Sequence, residues 1–183
     1  MPTPAGHAIA GLTTAWLAEA ARRDSRRAFG VFALACVFAA VIPDVDILLY
    51  SHRTYTHSIG AAAIAGALAW VLARQRRRVA VNRSCAGPRS TFLAVSVAIA
   101  YGTHIVLDWL AMDTGPPFGL MALWPFSTRF YLSGANWFFG VSRRYWKPDE
   151  FIFGNLKAMA WEMVVLAPIA ALAWWIRSKR LDG

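Results

Sequence analysis

Apolar residues fall along this chain in five runs separated by short polar or basic stretches. The first, Pro4 to Ala21, follows Thr3-Pro4, a helix N-cap with proline at the first helical position. It carries Thr13, Thr14 and Glu19, so its pattern suits either a bilayer span or a helix lying at the surface. The second, Phe29 to Ile42, is interrupted by Pro43-Asp44-Val45-Asp46 before Ile47 to Tyr50. The third, Ser58 to Ala73, is rich in alanine and glycine, which suits close helix packing in lipid. The fourth, Thr91 to Ala111, reaches the roughly 20 residues that a bilayer requires. Met112 to Lys157 has no period, and short interfacial helices with irregular turns are expected there. The last run, residues 158–176, reads as a final transmembrane helix. The pattern predicts an all-α fold: one domain over residues 1–183, a polytopic membrane bundle of four to five transmembrane helices plus interfacial helices.

Composition agrees with that pattern. Hydrophobic residues make up 57% and charged ones 16%, a balance that a soluble domain does not spread into long uncharged runs. The net charge of +9 first suggests nucleic acid, but the arginines form short clusters between apolar runs, as cytoplasmic membrane loops do, and no nucleic-acid partner is expected. Thirteen basic residues lie in the 22–27 and 74–89 loops and the C-terminal tail, against six on the other side of a five-span arrangement. That bias places the C-terminus in the cytoplasm and the N-terminus outside, in the cytoplasmic (inner) membrane. Cys36 and Cys85 fit no disulfide or metal spacing and read as structural. No basic segment precedes the first apolar run, so a cleaved signal peptide is not expected.

Charge placement then brings four histidines to one face. His7 begins the first run, Asp44 and Asp46 end the second, His52 and His57 occupy the turn HRTYTHS, and His104 and Asp108 lie late in the fourth. The basic count used none of these residues, so their convergence on the extracytoplasmic side is independent of it. His104 and Asp108 are four apart and share a helix face; an ionisable pair within an apolar run marks a functional site. Asp44 and Asp46, two apart, share no helix face, but Pro43 lets both turn inward. One then acts as a ligand and the other as a base or an orienting group. His52 and His57 meet only if their turn is non-helical; His57 reads as a ligand, and His52 as a ligand or a hydrogen-bonding partner. Imidazole and carboxylate donors without thiolate suit zinc foremost, or manganese or iron, as one or two ions. Arg53 beside them is a partner for an anionic substrate group, or else for a lipid phosphate.

Gly6-His7, the PDVD at 43–46, HRTYTHS, and the run YGTHIVLDWLAMDTGPPFGLMALWP at 101–125 resemble the LexA-regulated, membrane-bound metal-dependent hydrolases, the YdjM-like family. They are more distantly similar to the zinc-dependent phospholipase C pattern. The resemblance covers about residues 5–127 and implies a helical inner-membrane protein and a metal-dependent hydrolase. It carries His7, Asp44, His57, His104 and Asp108 over as ligands, with Asp46 and His52 beside them. Two positions depart from it: Thr54 stands where the family usually has glycine, and Ile47 where it often has histidine.

The second and third runs offer about 21 and 24 Å of helix before their polar ends, short of the roughly 30 Å hydrocarbon core. The donors are therefore expected at the outer interface, among Trp109, Trp124, Phe126, Phe130, Tyr131, Trp137, Phe138 and Phe139. The function expected is hydrolysis of a phosphoester in an anionic lipid or other amphiphile, catalysed by Asp46, Arg53 and His52 around the metal. The alternative is a non-enzymatic metal-binding membrane protein, either an ion carrier or a structural site.

Overall fold

The computed structural model describes residues 1–22, 29–49, 53–79, 90–142 and 144–182. Among these are five α-helices and no named strand: α1 (Pro4–Arg22), α2 (Phe29–Val41), α3 (Ile59–Val79), α4 (Ser90–Leu110) and α5 (Pro148–Asp182). A 3-10 segment, Ile42–Leu49, continues α2, and a short 3-10 turn, Tyr55–His57, leads into α3. The all-α fold stands.

The number of spans does not. Among the described residues, three stretches are long and apolar enough to cross a membrane: Phe29–Ile47, Ser90–Leu110 and Pro148–Leu181. α3 falls short because it runs on from Ala73 through Arg74, Arg76, Arg77 and Arg78. α1 falls short for a different reason: it turns its polar groups inward. His7, Thr14 and Glu19 are buried with Gly6, Gly11, Ala15 and Ala20, and hydropathy counts that inward polarity against it. The last helix begins ten residues earlier than its apolar run, at Pro148. The interfacial helices expected in 112–147 do not form among the described residues there. That segment is irregular, held by isolated bridges pairing Ala111 with Phe138 and Leu120 with Tyr131. Phe138 is accordingly a core residue and not part of an interfacial belt.

Contacts along the helices give their directions. Gly11 of α1 lies against Cys36, Val37 and Ala40 while His7 reaches Asp44, so α1 and α2 are antiparallel. Phe32 stacks on Phe92 and Ala40 meets His104, so α2 and α4 are parallel. Tyr101 donates to the Thr56 carbonyl while Gly66 packs on Ala94 and Ala98, so α3 and α4 are antiparallel. Thr3 pairs with Glu162 and Glu19 with Arg177, so α5 runs parallel to α1. One end of the bundle thus gathers the start of α1, the end of α2, the start of α3 and the end of α4. The arginine-bearing ends Arg22, Arg74, Arg76 and Arg177 lie at the other. Small residues permit the close crossings, since a Cβ on Gly66 would lie 2.9 Å from the Ala94 carbonyl oxygen. Outward, the helices present Leu34, Phe38, Leu68, Ile99, Val164 and Trp175, an apolar surface suited to a bilayer.

Candidate metal centre

Local rules build each side of the site. Thr3 caps α1: its Oγ1 accepts the Gly6 N–H at 3.2 Å, and the hydroxyl donates to Glu162 Oε2 at 2.5 Å. Glu162 Oε1 takes the Thr3 N–H as well, so a wholly buried carboxylate on α5 fixes the residues that lead into His7. Proline at 43 cannot donate to the α-helical ladder, and beyond Val41 the backbone tightens to three residues per turn. That change frees the Ala40 carbonyl, which accepts from His104 Nδ1 at 2.8 Å. Ser58 caps α3, accepting the Ala61 N–H at 3.1 Å. The segment 121–124 covers the rest of that helix start: the Ala122 and Trp124 carbonyls accept the Ile59 and Gly60 N–H groups, each at 2.9 Å. A Cβ on Gly60 would sit 2.7 Å from the Trp124 carbonyl oxygen, so glycine allows this docking.

Asp44, His57, His104 and Asp108 each present a donor atom within 4.8 Å of one another. His57 Nε2 lies 3.1 Å from His104 Nε2, 3.2 Å from Asp108 Oδ2 and 3.8 Å from Asp44 Oδ1. His104 Nε2 lies 3.5 and 3.7 Å from the same two carboxylate oxygens. Four donors at about 2.1 Å from a tetrahedral ion stand about 3.4 Å apart, the middle of this range. His7, His57 and His104 are fully buried, whereas the Asp44 side chain is 11% exposed and marks the open edge.

The hydrogen-bond pattern tests whether a cation fits. His104 Nδ1 faces a carbonyl oxygen, so that nitrogen carries the proton and Nε2 presents a lone pair. His57 Nδ1 faces Asp46 Oδ2 at 3.2 Å and Thr56 Oγ1 at 3.0 Å, and the Thr56 hydroxyl is spent on Asp46. Both neighbours accept, so Nδ1 carries the proton and a neutral His57 ring turns its Nε2 lone pair to the centre. With both rings neutral, two lone pairs face each other beside Asp44 Oδ1 and both Asp108 oxygens, which are buried and have no hydrogen-bond partner of sound geometry. One proton shared between the imidazoles would leave these carboxylate oxygens unsatisfied, at a cost of several kcal/mol for a buried charge. A divalent cation held by the two Nε2 atoms and one oxygen of each carboxylate offsets that cost, and the residues present fit one.

The remaining sequence candidates fall around this centre. Asp46 is buried on the far side of His57, where it orients the ring as carboxylates behind metal-binding histidines do. A 3-10 backbone puts residues two apart on different faces, which lets Asp44 and Asp46 clasp His57 from opposite sides. His7 stacks on His104 with ring centroids 3.8 Å apart. Arg53 pairs with Asp113, and Met121 N–H donates to its carbonyl at 3.0 Å, so it ties the HRTYTHS turn to the irregular segment. Burial alone would raise the Asp113 carboxyl, but Arg53 and the Gly119 and Gly115 N–H groups outweigh it and hold the carboxyl below its usual range. Arg53 takes φ of 66°, whereas Thr54, in the family's glycine position, has φ of −94°. Left-handed backbone falls one residue before the position where glycine was expected. Ile47 is exposed at the surface of the 3-10 segment. His52 lies outside the described residues.

Sequence reasoning left out Thr56, Tyr101, Asp113 and Glu162. Glu162 carried a signal, being the only carboxylate within the last apolar run, where an ionisable group requires a partner. The others are ordinary polar residues whose roles appear only once the turn is folded.

These features define a class: a membrane helical bundle with a buried His/Asp centre at one end, assembled from four helix termini. Within it, the chain belongs to the YdjM inner membrane protein family, whose profile matches residues 1–180. No curated protein matches the chain significantly. No solved structure does so either.

Proposed function

We propose that this protein is a metal-dependent hydrolase whose centre opens at the extracytoplasmic face of the inner membrane and acts on a phosphoester of a lipid or lipid-linked substrate. The observation that carries this reading is the set of donor atoms on Asp44, His57, His104 and Asp108 gathered within 4.8 Å of one another, with buried Asp44 and Asp108 oxygens that no hydrogen bond satisfies. A divalent cation bound there, zinc foremost, would polarise a phosphoryl oxygen and activate water at neutral pH. Asp46 holds the His57 ring in its ligating tautomer. Asp44, at the open edge, borders the space a headgroup would enter. His52 is the group proposed to move a proton, while Asp46 acts by fixing the His57 ring. The site stands at helix ends, where headgroups lie, and exposed Phe126, Phe130 and Trp137 suit the same depth. A carrier would instead hold its ion near the midplane between broken helices.

Sidedness rests on the arginine-bearing ends opposite the site. In intact cells a cysteine placed at Asn136 is expected to react with a membrane-impermeant thiol reagent, and Cys85 is expected to stay protected. The reverse labelling would move the site to the cytoplasm.

Arg53 is proposed to hold the anionic group by its guanidinium fork, sharing Asp113 with it. Purified Arg53→Lys should keep its metal content yet lose about tenfold or more in turnover of a lipid phosphoester, the value of one good charge-assisted contact. Unchanged turnover would remove Arg53 from substrate binding. Equal turnover of soluble phosphoesters lacking an apolar tail would defeat the lipid substrate. Metal uptake into vesicles without hydrolysis would favour the carrier.

A further inference from the structure

The two carboxylates of the centre each have one oxygen that the four-residue set does not use. Asp44 Oδ1 and Asp108 Oδ2 face His57 and His104. Their other oxygens face His7: its Nε2 lies 3.4 Å from Asp108 Oδ1 and 3.9 Å from Asp44 Oδ2. His7 is fully buried, and neither of its ring nitrogens has a hydrogen-bond partner of sound geometry. A buried imidazole with both nitrogens unsatisfied is costly, and the Thr3–Glu162 contacts hold the start of its helix in place. The His7 ring is nearly parallel to that of His104, 22° between planes and 3.8 Å between centroids. His7 Nε2 and His104 Nε2 thus meet opposite oxygens of the same two carboxylates. Two-metal sites bridged by carboxylates have their ions about 3.5–4 Å apart.

We propose that a second divalent cation binds between His7 Nε2, Asp44 Oδ2 and Asp108 Oδ1, with both carboxylates bridging it to the first. The inference rests on the metal-centre reading above and deepens it. The second position has three protein ligands and so keeps coordination free for water or a substrate oxygen beside the first. His7 thereby becomes a ligand in its own right and the residue that makes the centre dinuclear.

Manganese tests this without reference to turnover. Stripped wild-type protein titrated with Mn(II) should bind two ions per chain, and the saturated sample should give the exchange-coupled paramagnetic resonance spectrum of a bridged pair. His7→Ala should bind one ion and give the spectrum of an isolated Mn(II). A wild-type protein that saturates at one ion, or at two with no coupling, would overturn the second position and leave the first standing. Binding of no ion would overturn the whole centre. The spectrum of the wild-type protein decides the matter even if His7→Ala does not fold.

Discussion

His57→Ala and Asp108→Ala should each purify with almost no bound metal, and Asp46→Asn with a reduced but measurable amount. His57 and Asp108 stand at the middle of the donor set, each within 3.5 Å of at least two other donors. Removing either leaves fewer than four donors at the first position. Changing the group behind a metal-binding histidine commonly weakens binding about 10–100-fold, so losing a ligand itself should cost more than about 100-fold. Asp46→Asn belongs to the smaller class, because its oxygen meets His57 Nδ1 and not the centre. His52→Ala should fall in that class too if His52 only supports the turn. Elemental analysis of the four variants, purified identically and checked for a single sharp elution peak, gives the ranking. Full occupancy in both His57→Ala and Asp108→Ala would dismantle the site.

Gly11→Leu should separate the halves of the centre without touching a ligand. A Cβ at Gly11 would lie 2.8 Å from the Cys36 carbonyl oxygen and from Ala40 Cβ, and 2.9 Å from Val37 Cα. Backbone atoms are among those obstacles, so rotamer changes cannot absorb the clash and α1 must move off α2. His7 is one turn away on α1, while α2 supplies the Ala40 carbonyl behind His104 and leads directly to Asp44. Overpacking of this kind costs about 1–3 kcal/mol, and displaced ligands should add a loss of metal affinity of at least tenfold. Gly102→Leu on α4 is the matched control. Its Cβ would meet nothing within 4 Å, so thermal stability and metal content should stay near wild type. Equal behaviour of the two variants would mean that the α1–α2 crossing does not set the site.

The same details say how far the sequence could be read. His104 and Asp108 were legible because helix periodicity alone puts residues four apart on one face. Pro43 was legible as a break because it has no N–H to donate. The meeting of His7, Asp44 and His57 followed once the basic loops were placed at the opposite end. Hydropathy misled at α1, whose His7, Thr14 and Glu19 are buried in the bundle, and at α3, whose apolar stretch ends in arginines that continue the helix. The 112–147 segment has no repeating pattern because long-range contacts order it: Arg53 with Asp113, the Ala122 and Trp124 carbonyls on α3, and Phe138 beside Ala111. No local rule predicts such pairings. Division of the Asp44 and Asp108 oxygens between two sets of imidazoles is likewise a matter of distances that residue spacing does not contain.

The proposed hydrolysis requires a metal at Asp44, His57, His104 and Asp108. Detergent-purified protein, stripped with a chelator and titrated with zinc, manganese or iron(II), should be followed for turnover of a lipid phosphodiester as metal is added. The account predicts no turnover in the stripped protein and recovery in step with occupancy, absent from His57→Ala at every metal concentration. Turnover in the metal-free protein, or none at full occupancy across a panel of lipid phosphoesters, would contradict it.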